Sequence, residues 1–207
     1  MRWSGRLFVG ALVAGISTPA IADGLYLRFQ GGGALVPDGM VSGTDFSAGY
    51  IGTAAVGYSI FFPESIADLR LELEGSYRRN DFDEVTVVGT TVDADGDLTA
   101  MAAMANVYFD FRTIWSVVPY LGVGAGVAEV AWNDFDSALS VAVDDEDTVA
   151  ALQTMVGFDY NLSDSLAIGV EYRFFFTDDP TLTDALGFAF DTSYENHSVL
   201  VGFRMTF

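Results

Sequence analysis

The sequence predicts an all-β protein, specifically an eight-stranded antiparallel up-and-down transmembrane β-barrel. Three observations predict this fold class. Apolar and polar residues alternate with a period of two along almost every segment, aromatic residues gather where the predicted strands end, and the connections between strands are alternately short and long.

Alternation with a period of two indicates strands, because successive side chains of a strand point to opposite faces. In the segment LRLELEGSYR, residues 69–78, the leucines and the tyrosine share one face while the arginines and glutamates share the other. Strands of about 9–11 residues cross a bilayer at a tilt, and the predicted strands are of that order. They are Leu25–Leu35, Ser47–Ile60, Leu69–Arg78, Asn106–Arg112, Pro119–Val130, Thr148–Tyr160, Ser165–Phe176 and Tyr194–Phe207.

Periodicity alone fits both a soluble barrel of the lipocalin type and a membrane barrel with its apolar face in lipid. The arginines favour the membrane barrel, since the chain has no Lys and most of its Arg fall on the polar face beside acids. Arg suits enclosed ion pairs with several hydrogen bonds, whereas soluble surfaces favour Lys. The polar face therefore predicts a charge network in the lumen. Its members are Arg28, Arg70, Glu72, Glu74, Arg78, Asp110, Arg112, Asp159, Glu171, Arg173 and Arg204.

The predicted connections differ in length and charge. Small outer-membrane barrels have short periplasmic turns and long outer loops, so we expect the short connections on the periplasmic side. The short connections are Phe61–Asp68, Thr113–Val118 and Asn161–Ser165. The long connections are Gly32–Phe46, Arg79–Asp97, Ala131–Asp147 and Thr177–Ser193. Acidic residues are concentrated in the long loops, so the net charge of −20 belongs mainly to the predicted outer surface.

The N-terminus predicts a cleaved signal peptide, residues 1–22, followed by a barrel domain, residues 23–207. Arg2 and Arg6 precede an apolar run, and Ala20-Ile21-Ala22 fits a cleavage site. We therefore expect an exported protein. The acidic composition disfavours nucleic acid as a partner, because the phosphate backbone attracts Lys and Arg. The absence of Cys excludes disulfides and thiolate chemistry.

The C-terminus carries large apolar residues at alternate positions and ends on an aromatic residue. This end resembles the terminal signal of Gram-negative outer-membrane proteins, and its residues are Val201, Phe203, Met205 and Phe207. The whole mature chain resembles the eight-stranded family that includes opacity proteins, the membrane domain of outer membrane protein A and small alphaproteobacterial surface proteins. The resemblance implies an outer-membrane location, contact with lipid and lipopolysaccharide, and recognition of the last strand by the barrel-assembly machinery.

Two features of the sequence are candidates for a chemical role, one for catalysis and one for cation binding. Lipid A deacylases, which superficially resemble this chain, need a cooperating His and Ser on the lipid-facing wall, but His197 and Ser198 are adjacent in a strand and point to opposite faces. We therefore expect a rim histidine and no enzyme.

Asp93, Asp95 and Asp97 are candidates for weak Ca²⁺ or Mg²⁺ binding, although their spacing does not fit an EF-hand. The alternative is a solvated acidic loop tip. No cofactor is predicted.

The predicted lumen suggests a structural role. An eight-stranded barrel is just wide enough for its own side chains, and buried charges must be paired. We expect a plugged barrel that displays four acidic loops to an extracellular ligand or host surface. The alternative is a narrow, porin-like channel for small solutes or ions. A lipid-modifying enzyme ranks below both.

Overall fold

The computed structural model describes residues 24–35, 44–46, 49–87, 90–93, 95–136, 145–178, 181–183, 189–191 and 195–207. Side chains are described within residues 24–35, 49–80, 99–130, 148–178 and 195–207. The predicted signal peptide, residues 1–22, lies outside the described residues.

The described chain forms twelve strands. They are β1 (Leu25–Leu35), β2 (Thr44–Phe46), β3 (Gly49–Ile60), β4 (Ala67–Val87), β5 (Thr90–Asp93), β6 (Asp95–Phe111), β7 (Val117–Asp136), β8 (Asp145–Ser163), β9 (Leu166–Thr177), β10 (Thr181–Thr183), β11 (Ala189–Asp191) and β12 (Glu195–Thr206). No helix long and apolar enough to cross a membrane occurs among the described residues.

Eight of these strands close into an antiparallel barrel, which confirms the predicted fold class. The ring runs β4-β3-β1-β12-β9-β8-β7-β6 and closes by pairing of β4 with β6. The short strands β2 and β5 pair with β4, while β10 and β11 pair with each other. All four lie at the end of the barrel that carries the long connections, which we call the loop end. The opposite end is the turn end.

The strands are strongly staggered. Following paired residues from Asp68 of β4 once around the barrel leads back to β4 at Arg78, ten residues nearer the loop end. For eight strands this stagger requires a tilt of about 40° from the barrel axis. Such a barrel leaves room inside for side chains.

Four neighbouring strands are much longer than predicted. β4, β6, β7 and β8 have 21, 17, 20 and 19 residues, whereas β1 has 11. The predicted loops Arg79–Asp97 and Ala131–Asp147 are therefore wrong in large part, because their backbone continues the barrel strands and forms β5. Val85, Thr86 and Val87 of β4 and Thr90, Thr91 and Val92 of β5 are β-branched, and such residues favour extended backbone despite the neighbouring acids.

Candidate functional site

The barrel interior contains a formally neutral set of charges. Among the side chains that the structure describes, five arginines and five carboxylates point inward. They are Arg28, Arg70, Arg78, Arg173, Arg204, Glu72, Glu74, Asp110, Asp159 and Glu171. Nine of the ten are buried, and the side chain of Arg204 is 13% exposed. Alternation along tilted strands brings them together, because every second residue faces inward.

Arg173 bridges opposite walls of the barrel. It lies on β9, four strands around the ring from Glu74 on β4. Its Nη1 and Nη2 donate to the two carboxylate oxygens of Glu74 at 2.5 and 2.8 Å, and its Nε donates to Oε1 of Glu171 at 3.0 Å. All three side chains are fully buried. This fork geometry is the strong form of the Arg–carboxylate interaction.

A second bridge crosses the lumen between β1 and β7, which are also opposite in the ring. Arg28 of β1 donates through Nη2 to the hydroxyl oxygen of Tyr120 on β7, and the same nitrogen lies 3.1 Å from Oε2 of Glu171. Tyr120 in turn donates to Glu171 at 3.2 Å. The bridges of Arg28 and Arg173 therefore share Glu171 and lie on two different diameters of the barrel.

Glu72 is held by neutral donors. Tyr26 donates to its Oε2 at 3.0 Å, and Tyr108 and Asn106 donate to its Oε1, each at 3.3 Å. Gln153 donates to Asn106 at 2.7 Å and to the Glu74 carboxylate at 3.4 Å. Glu72 is thereby linked to the Arg173 bridge in one hydrogen-bonded network.

Nearer the turn end, Arg70 is enclosed by tyrosines and acids. Its Nε lies 2.7 Å from Oδ2 of Asp110, and its Nη1 lies 4.0 Å from Asp159. Asp159 also accepts from Arg204, with an ion-pair distance of 3.1 Å. The Arg70 guanidinium carbon is 5.7, 4.6 and 5.0 Å from the ring centroids of Tyr26, Tyr108 and Tyr120. These rings supply cation–π contacts on top of the ion pairs.

Inward-facing glycines make room for these long side chains. Each lies opposite a larger inward residue on the neighbouring strand, and a Cβ on the glycine would overlap that residue. The side-chain pairs are Gly57 with Tyr26, Gly122 with Tyr108, Gly124 with Asn106, Gly126 with Met104, Gly157 with Tyr120, Gly169 with Asp159 and Gly202 with Gln30. At Gly122, Gly124 and Gly126 of β7 the space is occupied by the cross-strand side chains of β6.

Toward the loop end, one side of the interior, formed by β6, β7, β8 and β9, is apolar. Ala100, Ala102, Met104, Ala128, Val130, Ala151 and Phe175 form one buried cluster. Arg78 lies beside it, with its guanidinium carbon 3.8 Å from the Phe175 ring centroid. Its Nη1 donates to Ser76 at 3.0 Å.

Arg112 lies outside this interior network, which corrects its predicted place in the lumen. β6 ends at Phe111, so Arg112 falls in the following turn. Its side chain is 36% exposed. It donates through Nε to Asp68 at 3.0 Å, and through Nη1 to the carbonyl of Pro63 at 3.1 Å. The hydrogen bond from Arg112 lowers the pKa of the Asp68 carboxyl, with a further contribution from the backbone N–H of Phe62.

The outward face carries the predicted apolar stripe of the last strand. Val201, Phe203, Met205 and Phe207 point away from the interior and are 61%, 42%, 43% and 55% exposed. Large aromatic residues also point outward near both ends of the barrel. Tyr120, near the end of β7, is an exception, since it is buried and points inward on the same face of the strand as Gly122.

His197 and Ser198 lie on opposite faces of β12, as the strand geometry predicts. Ser198 is buried and donates to Asn196 at 2.6 Å. The outward ring of His197 has its Nδ1 2.6 Å from the Tyr172 hydroxyl, and its centroid is 4.9 Å from that of Phe174. Ser198 and His197 therefore form no nucleophile–base pair.

The candidate cation ligands Asp93, Asp95 and Asp97 belong to β5 and β6, but their side chains lie outside the described residues. The side chains that the structure does describe include no group of three His, Asp or Glu placed to hold a metal ion.

Comparison with known proteins gives a family match. The sequence profile of the family described as "Outer membrane protein beta-barrel domain" matches residues 8–207. No curated protein sequence matches the chain.

Several solved structures share its fold. Neisserial surface protein A is 17% identical with a TM-score of 0.53, covering 88% of this chain and 97% of that one. The outer membrane protein OprG from Pseudomonas aeruginosa is 15% identical with a TM-score of 0.54, covering 90% and 97%. A major outer membrane protein from Thermus thermophilus is 14% identical with a TM-score of 0.53, covering 88% and 99%. At these identities the likeness concerns the fold alone.

Proposed function

Since the chain belongs to the outer membrane protein β-barrel family, we propose that it is a structural, surface-interacting protein with a sealed barrel and binding loops at its outer end. The barrel anchors the protein, and the acidic connections at the loop end meet the extracellular ligand or host surface. Lipid and lipopolysaccharide surround the barrel. The barrel-assembly machinery recognises the outward apolar stripe of the last strand, which ends at Phe207.

One observation carries the proposal of a sealed lumen. The Arg173–Glu74 fork joins opposite walls, and the Arg28–Tyr120 contact does so on another diameter. A solute passing along the axis would have to break both bridges. Breaking the first would leave buried charges unpaired, at a cost of several kcal/mol. The competing channel function requires these bridges to open.

Single-channel recording tests the proposal. The chain from Asp23 to Phe207, the predicted mature protein, is refolded and inserted into a planar bilayer after its heat-modifiable gel migration confirms a closed barrel. We expect no conductance steps from the wild type. The Glu74→Gln variant shows whether any current passes the bridge, and Arg112→Gln at the rim is the matched control. Discrete wild-type steps that change with Glu74→Gln but not with Arg112→Gln would replace the sealed barrel with a channel.

We propose no catalytic role for the one histidine. His197 contacts Tyr172 and Phe174 on the outer wall, while Ser198 faces the interior. The expected result is an unchanged lipid A profile in cells that express the His197→Ala variant. A profile that differs between wild type and variant would assign a lipid-modifying activity instead.

A further inference from the structure

We propose that two neighbouring turns at the turn end insert into the phospholipid leaflet around that end and anchor one side of the barrel. The turns join β3 to β4, residues 61–66, and β6 to β7, residues 112–116. They are neighbours because β4 pairs with β6. This lipid contact lies beyond the strands of the barrel wall, and it is additional to the sealed lumen and binding loops of the proposed function.

The tips of both turns carry large apolar side chains that contact little of the protein. Ile66, Ile114 and Trp115 are 81%, 98% and 74% exposed. Phe61 and Phe62, at the start of the first turn, are exposed as well. Turns in contact with water are usually built from Gly, Pro, Asn, Asp and Ser. Exposed apolar surface of this extent indicates an interaction with an apolar partner.

An open cleft beside Trp115 connects the second turn to the outer wall of the barrel. The cleft has a volume of about 360 Å³. Its lining residues are Thr113, Ile114, Trp115, Val117 and Pro119. On β7, Val117 and Pro119 have the same parity as the outward-facing Leu121, so the cleft is continuous with the apolar outer wall. This wall contacts lipid in an outer-membrane barrel, and an acyl chain can therefore enter the cleft from the wall.

The polar groups of the two turns are paired with one another. Arg112 donates to both carboxylate oxygens of Asp68 and to the carbonyl oxygen of Pro63. Its backbone N–H donates to the carbonyl oxygen of Ile66 at 2.9 Å. These bonds hold the turns side by side and neutralise the single cation of the two turns. Glu64 is the remaining charge, and its exposed carboxylate restricts insertion to the head-group boundary, where water is present.

The third turn of this end has the opposite character. The connection between β8 and β9 carries Ser163, Asp164 and Ser165, with Leu162 as its exposed apolar residue. Among the three turns, the apolar tips are therefore confined to the side of β3, β4, β6 and β7. Lipid fits this side better than a protein partner, because the apolar surface runs from the tips onto the wall without the polar rim of a protein interface. Trp is also favoured at the boundary between water and hydrocarbon.

Fluorescence quenching tests the proposed anchor. The chain from Asp23 to Phe207 contains two tryptophans, Trp115 and Trp132, so the Trp132→Phe variant leaves Trp115 as its reporter. The matched control moves the reporter to the third turn, in the Leu162→Trp/Trp115→Phe/Trp132→Phe variant. Both proteins are refolded in phosphatidylcholine vesicles with or without bromine on the acyl chains. Heat-modifiable migration confirms that each barrel is closed.

We expect brominated acyl chains to reduce the emission of Trp115 about twofold or more and to leave the reporter at position 162 nearly unchanged. Iodide in the aqueous phase should quench the two reporters in the reverse order. Strong iodide quenching of Trp115 without an effect of bromine would overturn the proposal, because the turns would then lie in water. Equal quenching by bromine at both positions would refute an anchor on one side.

A charge placed on the tip gives a second test. In the Trp132→Phe background, Ile114→Asp should lift the turn toward water and so weaken the bromine quenching of Trp115. Leu162→Asp in the same background is the matched control and should leave that quenching unchanged. Bromine quenching of Trp115 that is indifferent to Ile114→Asp would also overturn the proposal.

Discussion

Replacing Arg173 by Met should strongly destabilise the barrel. The substitution removes four contacts between the guanidinium and the carboxylates of Glu74 and Glu171, and all of these groups are fully buried. Removing one partner of a buried ion pair leaves an uncompensated charge, which costs about 3–5 kcal/mol. Glu171 keeps Arg28 and Tyr120 as partners, so most of the loss is expected to arise at Glu74.

A double-mutant cycle isolates that contribution. The Glu74→Gln substitution alone leaves Arg173 paired with Glu171, and we expect a loss of about 1–3 kcal/mol. The Arg173→Met/Glu74→Gln double variant removes the stranded carboxylate, so its loss should be smaller than the sum of the two single losses by 1 kcal/mol or more, an order-of-magnitude figure for contacting residues.

The free energy of unfolding is measured by denaturant titration in phospholipid vesicles, with the fluorescence of Trp115 and Trp132 as the signal. An unchanged denaturant slope would show that the variants unfold from the same compact state. Refutation is straightforward: if Arg173→Met costs less than about 1 kcal/mol, the guanidinium is not an enclosed ion-pair partner.

Three further predictions concern the packing, the rim and the last strand. Gly122→Val places side-chain carbons where the Tyr108 ring lies and should lower the free energy of unfolding by about 1–3 kcal/mol, measured by denaturant titration; a neutral effect would mean that the ring has space to move. Because Arg112 lowers the pKa of Asp68 in the folded state, its stabilisation is present above the unfolded carboxyl pKa of about 4 and is lost as the pH falls through the folded value. The melting temperature of Asp68→Asn should therefore lie below that of the wild type at neutral pH and converge with it in acid, and a pH-independent gap would contradict this. Phe207→Ser should reduce the heat-modifiable fraction in outer membranes several-fold while leaving refolded stability within about 0.5 kcal/mol, as for a surface residue, and normal assembly would refute a signalling role.

Alternation predicted the barrel well, because it depends on a local rule. The inward set from Arg28 to Arg204 follows from the parity of each strand, and the same rule placed His197 and Ser198 on opposite faces. Its one failure in the charge set is Arg112, which continues the parity of Asp110 but lies beyond the end of β6. The same alternation indicates that Tyr120 is interior, since Tyr120 and Gly122 are two residues apart and lie on the same face of β7.

The partners inside the barrel depend on information that alternation lacks. Arg173 and Glu74 are 99 residues apart, and they meet because the stagger of the closed ring brings β9 and β4 to the same level on opposite walls. Strand ends were misjudged for a different reason. Acidic residues between Asp81 and Asp97 suggested a loop, although cross-strand pairing holds that segment extended as far as Val87.

The inward-facing glycines also determine the register in which neighbouring strands of the barrel pair. A slip of two residues keeps every side chain on its proper face, so the hydrophobic pattern alone does not forbid it. Between β7 and β8, such a slip would move Tyr120 from Gly157 to Met155 or Asp159, where its ring would collide with another large side chain. Between β1 and β3, such a slip would move Tyr26 from Gly57 to Ala55 or Ser59, and a Cβ opposite this ring already overlaps it. The inward glycines thus fix which residues of neighbouring strands can pair. A redesign of this barrel to another circumference would first have to move these glycines.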